Sequence, residues 1–170
     1  MGIFKILTYP DPFLQRKAQL VNTIDGKTQK IIEDMASTMY DAPGAGLAAI
    51  QVGIDQSIMV YDIAQKDGER SLQVLINPVI ITQEGQMISE NEGCLSVPDY
   101  KSDVKRSACV CVEALDREGN PLHVECNGYH AIALQHEIDH LNGILFIDHL
   151  SSLKREMYKR WIKKQQRKDE

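Results

Sequence analysis

The stretch LQHEIDHLNGILF, residues 134–146, decides how the rest of the chain is read. Within it, His136-Glu137-Ile138-Asp139-His140 fits the H-E-x-x-H pattern, in which two histidines one helical turn apart reach one metal ion and the glutamate between them handles protons. At about 100° per residue the two histidines project only about 40° apart, so both imidazoles can serve one ion. Ala131, Ile132, Leu134, Ile138, Leu141, Ile144 and Leu145 make this helix apolar on nearly every side, which predicts a central, buried element. Buried His and Glu side chains need partners, and a metal supplies one. Two histidines do not complete a site, however. The extended zinc-peptidase pattern keeps its glycine here, at Gly143, but Phe146 stands where the third histidine belongs.

Composition sets the frame for the search. The chain of 170 residues is expected to form a single domain, 1–170, long enough to bury roughly 70% of its unfolded surface. Hydrophobic residues make up 43% and charged residues 25%, and no apolar run approaches the ~20 residues of a membrane span. The N-terminus MGIFKILTYPDPFL lacks the pattern of an export signal, so a cytoplasmic protein is expected, without membrane contact. Four cysteines are too few for a disulfide scaffold. The formal net charge of -5 is unevenly spread. The last twenty residues carry eight Lys/Arg against three Asp/Glu, which leaves eleven basic against twenty-one acidic residues, a net of -10, in 1–150.

Hydrophobic periodicity gives the order of elements. In KTQKIIEDMASTMYDAPG, Ile31, Met35 and Met39 recur at helical steps, and Pro43-Gly44 supplies a stop. QSIMVYDIA, LQVLINPVIIT, QMISENEG, SACVCVEALD and NPLHVEC then read as strands, separated by turn signals at Asp67-Gly68, Glu84-Gly85 and Glu118-Gly119-Asn120. A helix resumes near Tyr129, and another begins at Ser151, with Ser152 as a candidate cap. Helix, strands and then two helices predict an α+β fold, not alternating βαβ units.

The third ligand must come from outside the motif. Glu156 lies in the basic tail and Asp148 follows the first histidine closely, so neither downstream carboxylate is attractive. His123, His130 and His149 are expected in structural or surface roles. Cys109 and Cys111 point to one face of a strand, where cysteine usually serves as a small buried hydrophobe, although with Cys126 they could form a zinc site. Cys94, in ENEGCLSVPDY, sits in a loop or strand-edge context that can present a thiol. A second unusual stretch, PGAGLAAIQVG at 43–53, allows close backbone approach and supplies an uncharged amide in Gln51. Of the motif's acids, reach favours Glu137 as the proton carrier, with Asp139 structural.

GAGLAAIQ, EGCLS and QHEIDH, in this order and spacing, resemble the three signature motifs of the peptide deformylase family. The likeness runs over essentially the whole chain, including TYPDP, LINP and GILFIDHL. It implies an α+β fold with antiparallel β-sheets around a central metal-bearing α-helix, flanked by N-terminal and C-terminal helices. It implies removal of the N-formyl group from the formyl-methionine of nascent polypeptides, in place of the alternatives: a metallopeptidase, or a ribosome-associated binding protein with a structural metal. Cys94, His136 and His140 would then be the metal ligands, for one Fe(II) per chain with Zn, Ni or Co as substitutes. Glu137 would be the general base, and Gln51 and the Leu95 backbone N–H would stabilise the oxyanion. Gly46 would bind the substrate backbone, while Ala45, Tyr129, Ile132 and Ala133 would line the methionine pocket. Ala45 stands where the family usually carries a larger aliphatic residue. Glu92 would pair with Arg106 to hold the cysteine loop.

The basic tail, 151–170, is predicted to be a helix whose stripe of Leu153, Met157, Trp161 and Ile162 packs on the body. Lys159, Arg160, Lys163, Lys164, Arg167 and Lys168 would then face water, a cationic surface suited to the ribosome and not to sequence-specific DNA.

Overall fold

A computed structural model describes residues 2–64 and 69–170; the turn signal Asp67-Gly68 lies outside the described residues. Helix α1 spans Gly26–Asp41, and the Asp25 carboxylate caps it by accepting from Thr28 N–H at 3.0 Å. Strands β1 (Gly46–Ala48), β2 (Ile58–Tyr61), β3 (Gln73–Glu84), β4 (Met87–Cys94), β5 (Val97–Arg106), β6 (Cys109–Leu115) and β7 (Pro121–Asn127) precede helix α2, Gly128–Leu141, and helix α3, Ser152–Lys168. All strand pairs are antiparallel. One sheet runs β1-β2-β3-β6-β7 and the other is the β4-β5 hairpin, so the fold is α+β as expected.

Side-chain alternation explains where the large sheet sits. Leu47, Ala49, Ile58, Val60, Val74 and Ile76 pack on Ile32, Met35 and Met39 of α1. Their neighbours Ala48, Met59, Tyr61 and Leu75 point the other way and pack on Ala131, Leu134 and Ile138 of α2. With both faces covered, β2 is buried at every position, which is why IMVY reads as an unbroken apolar run. Each fully buried Ile, Leu or Met contributes roughly 1.5–3 kcal/mol here. Pro78 is tolerated inside β3 because the register with β6 shifts between Ile76 and Val79, and Asn77 adopts a φ of 53° at that irregularity.

Several expectations require correction. β1 and β5 were not among the predicted strands. β1 is three residues of small side chains, and β5, VPDYKSDVKR, carries charges along a sheet exposed on one side. Ser151, not Ser152, caps α3, its hydroxyl accepting from Lys154 N–H at 3.3 Å. The buried stripe of α3 is also rotated by about one residue from the predicted one. Leu153 and Met157 are 71% and 60% exposed, whereas Tyr158 is 2% exposed and Ile162 packs against the core. The reason is aromatic: the Tyr158 ring lies 4.7 Å from that of Tyr100 and 5.5 Å from that of Tyr9. Among the described residues no helix is long and apolar enough to cross a membrane.

Gly143 ends α2 for two reasons. Its φ of 73° is left-handed, and an added Cβ would stand 2.3 Å from the Gln15 carbonyl oxygen. Gly143→Ala is expected to destabilise the protein by about 2 kcal/mol or more, read as a lowered urea midpoint at unchanged slope.

Candidate active site

β4 ends at Cys94, and Cys94 pairs with Val97 across the two-residue turn Leu95-Ser96, so the thiol stands at a hairpin tip. The α2 residues His136 and His140 face it. His140 Nε2 lies 3.3 Å from Cys94 Sγ and 3.2 Å from His136 Nε2, and the donor atoms of the three residues all fall within 4.8 Å of one another. A thiolate and two imidazoles at this spacing suit a divalent transition metal and leave a fourth position open. The His136 ring is fixed from behind: its Nδ1 is 2.8 Å from Glu92 Oε1, and an ionised carboxylate can only accept, so Nε2 is the ring nitrogen turned toward His140.

Behind the three donors runs a buried polar network. Arg106, at the end of β5, meets both Glu92 oxygens, with Nε to Oε2 at 3.2 Å and a shorter contact from Nη2 to Oε1, and its Nη1 donates to Asp139 Oδ2 at 2.6 Å. Asp139 also lies 2.7 Å from His149 Nε2. Burial raises the Glu92 carboxyl, but hydrogen bonds from His136 and Arg106 and the guanidinium charge outweigh it and leave it at about 2. Burial also raises the Glu137 carboxyl, partly offset by His136, to about 7. Glu137 Oε2 and His140 Nδ1 are buried without a hydrogen-bond partner among the described residues.

Gln51 is 1% exposed and held at three points by its amide. Its Oε1 accepts from Ala48 N–H at 2.9 Å, and its Nε2 donates to Ser96 Oγ at 3.1 Å and approaches Cys94 Sγ at 3.7 Å. The short 3₁₀-helix Ala49–Val52 that carries it leaves directly from β1. Gly46 sits against Glu137: a Cβ there would come within 2.7 Å of Glu137 Oε1. The sequence GAGLAAIQ therefore keeps small residues where a carboxylate and a strand meet. Ala45, Gly46, Gln51, Tyr129, Ile132 and Ala133 line one cleft of about 610 Å³, together with Glu92, Cys94, Leu95, His136 and Glu137. Tyr129 is 55% exposed at its rim.

Phe146, in the place of a third histidine, is 1% exposed and stacks on the His136 ring with centroids 6.4 Å apart. Ser96 has no role in the sequence reading, and His149 is expected there only in a structural or surface role. Ser96 had a signal, lying two residues after Cys94 in EGCLS, whereas nothing in the sequence joins His149 to Asp139. His130 pairs with Tyr61 Oη at 3.1 Å, away from the cluster. The set of Cys109, Cys111 and Cys126 does not form, because Cys126 pairs in register with Val110 and packs inward while Cys111 faces outward.

The sequence model of the family described as polypeptide deformylase matches residues 3–156. A peptide deformylase of Syntrophobacter fumaroxidans is 52% identical over 165 residues, covering 96% of this chain and 96% of its own length. The crystal structure of a peptide deformylase from Legionella pneumophila superposes with a TM-score of 0.90 at 45% identity, over 99% of this chain and 98% of that one. That of the Ehrlichia chaffeensis peptide deformylase in complex with actinonin gives 0.91 at 35% identity, over 98% and 99%.

Arg106→Ala would leave the buried Glu92 and the partly exposed Asp139 without their shared partner. The expected loss is about 3–5 kcal/mol, checked by urea denaturation at neutral pH.

Proposed function

Since the chain belongs to the polypeptide deformylase family, and with it is a hydrolase of N-terminal protein processing, we propose that it deformylates the starting methionine of nascent polypeptides at a metal held by Cys94, His136 and His140. The observation that carries this reading is the thiol and two imidazoles converging beside a buried carboxylate with one free oxygen, on a cleft open to a peptide. By resemblance to the family the ion would be Fe(II), one per chain; thiolate and imidazole suit several ions, so Zn, Ni or Co could replace it. When bound, the ion supplies Lewis acidity, polarising a carbonyl and bringing the pKa of water toward neutrality.

The chain's own residues do the rest. Glu137 takes a proton from the attacking water and passes it to the amine as the C–N bond breaks and formate leaves. The Gln51 amide and the Leu95 N–H stabilise the oxyanion formed on the formyl carbon. Gln51 suits this because its other contacts hold the amide rigidly beside Cys94. Gly46 offers its carbonyl to the substrate backbone. β1 is an edge strand, and Asp62 N–H bonds the Ala45 carbonyl, so the next carbonyl along the strand points away from β2 toward the cleft. Ala45, Tyr129, Ile132 and Ala133 receive the methionine side chain. Glu92 and Arg106 position His136. Actinonin, which occupies the Ehrlichia chaffeensis enzyme, is expected to compete with substrate here.

Formyl-Met-Ala-Ser is expected to release formate, with no reaction of the unformylated peptide. Cys94→Ser should lose metal and activity, while Cys109→Ser keeps both. Glu137→Gln should retain the metal and lose on the order of 10²–10⁴ in kcat. Full metal content in Cys94→Ser, by elemental analysis, would overturn the ligand assignment.

The tail of the single domain is read as a ribosome-docking helix. Tyr158 anchors α3 while Arg160, Lys163, Lys164, Arg167 and Lys168 remain outside, a cationic face that hydrolysis does not use. Changing Lys163, Lys164, Arg167 and Lys168 to Gln should leave short-peptide hydrolysis intact and weaken ribosome co-sedimentation. Equal sedimentation at matched salt would reduce the face to a solvated surface.

A further inference from the structure

The far edge of the large sheet carries a second set of ligand-type side chains. The register pairs Cys111 with Glu125 and Glu113 with His123, so the pleat sets all four on one face of β6 and β7. His123 Nε2 lies 3.1 Å from Cys111 Sγ and 3.3 Å from Glu125 Oε1, while its Nδ1 is 3.8 Å from Glu113 Oε1. The sulfur, nitrogen and oxygen donors of Cys111, His123 and Glu125 all lie within 4.8 Å of one another. We propose that Cys111, His123 and Glu125 form a second cation site, for a divalent ion of the zinc class, with Glu113 orienting the His123 ring.

The geometry is that of a site needing little rearrangement. Ligands about 2.3 Å (sulfur) and about 2.0 Å (nitrogen, oxygen) from a tetrahedral ion stand roughly 3.3–3.6 Å apart, close to the two spacings from His123 Nε2. The Nε2 atom faces both other donors, leaving Nδ1 3.8 Å from Glu113 Oε1, from where a small shift of the carboxylate would let it accept from Nδ1–H and fix the tautomer of a ligating imidazole. Cys111 is 7% exposed although it shares a face with the exposed His123 and Glu125, so the thiol is covered by its neighbours on that face. The carboxylates of Glu113 and Glu125, on the same face as the thiol, favour a cation beside it. Because β7 is the edge strand, an ion here would link the last two strands of the sheet. Cys, His and carboxylate together select the zinc class over calcium or magnesium.

The test uses the full chain already loaded at the Cys94 centre and freed of excess metal, titrated with Zn(II) alone. The wild type is expected to take up one further ion. His123→Ala, whose side chain is exposed and whose fold is checked by circular dichroism, should bind that ion on the order of 100-fold more weakly or not at all. Glu113→Gln should weaken it about 10-fold, as loss of an orienting partner does. Both variants should deformylate at the wild-type rate. What is read is the difference in uptake between wild type and His123→Ala, not the total, so a failure of the Cys94 assignment would show separately. No further uptake by the wild type, or equal uptake by His123→Ala, overturns the proposal.

Discussion

The Arg106 guanidinium is the joint on which the candidate site depends. It is 3% exposed and is met from two elements, by Glu92 on β4 and by Asp139 on α2. Desolvating such charges costs several kcal/mol per ion, and apolar residues of similar volume could fill the same space at least as stably. What they could not do is fix direction. Glu92 Oε1 meets Arg106 and His136 Nδ1 together, so the ion pair sets the imidazole's tautomer and angle while tying the Cys94 hairpin to the helix that carries both histidines.

Around that joint, sterics decide which residues can be large. Gly46 must lack a Cβ because Glu137 occupies the space, and that contact seats the carboxylate against an edge strand whose outward carbonyl borders the same cleft. Phe146 stacks beside His136 at the sequence position where the zinc-peptidase pattern has its third histidine, and the side chain that meets both histidines is Cys94, on the other sheet. The cleft, the strand edge and the three donor atoms therefore meet at one place although they belong to β1, β4 and α2.

Much of this was legible in the residues. The apolar surround of 131–145 marked α2 as central, and β1, β2 and β7 all pack against α2, the first two with α1 on their other face. The two histidines at one-turn spacing follow from helical geometry alone. The charged strand β5 was not legible, since alternation is weak where one face is solvated, and α3 was read with the wrong buried stripe. Hydrophobicity favours Leu153 and Met157 over Tyr158, but the position of a ring cluster formed by Tyr9, Tyr100 and Tyr158 depends on three distant segments.

The sequence by itself determined the fold class, the order of most elements and a short set of candidate ligands, because periodicity, turn residues and motif spacing are local and survive without coordinates. The tertiary structure decided which distant side chains meet. Cys94 and His140 are 46 residues apart in sequence, Arg106 and Asp139 33, and Cys111 and His123 12, and no local rule brings any of these pairs within contact. The register of β6 with β7 gave Cys111 a histidine and a glutamate for neighbours in place of Cys126, because a one-residue difference along a strand sends a side chain to the opposite face of the sheet.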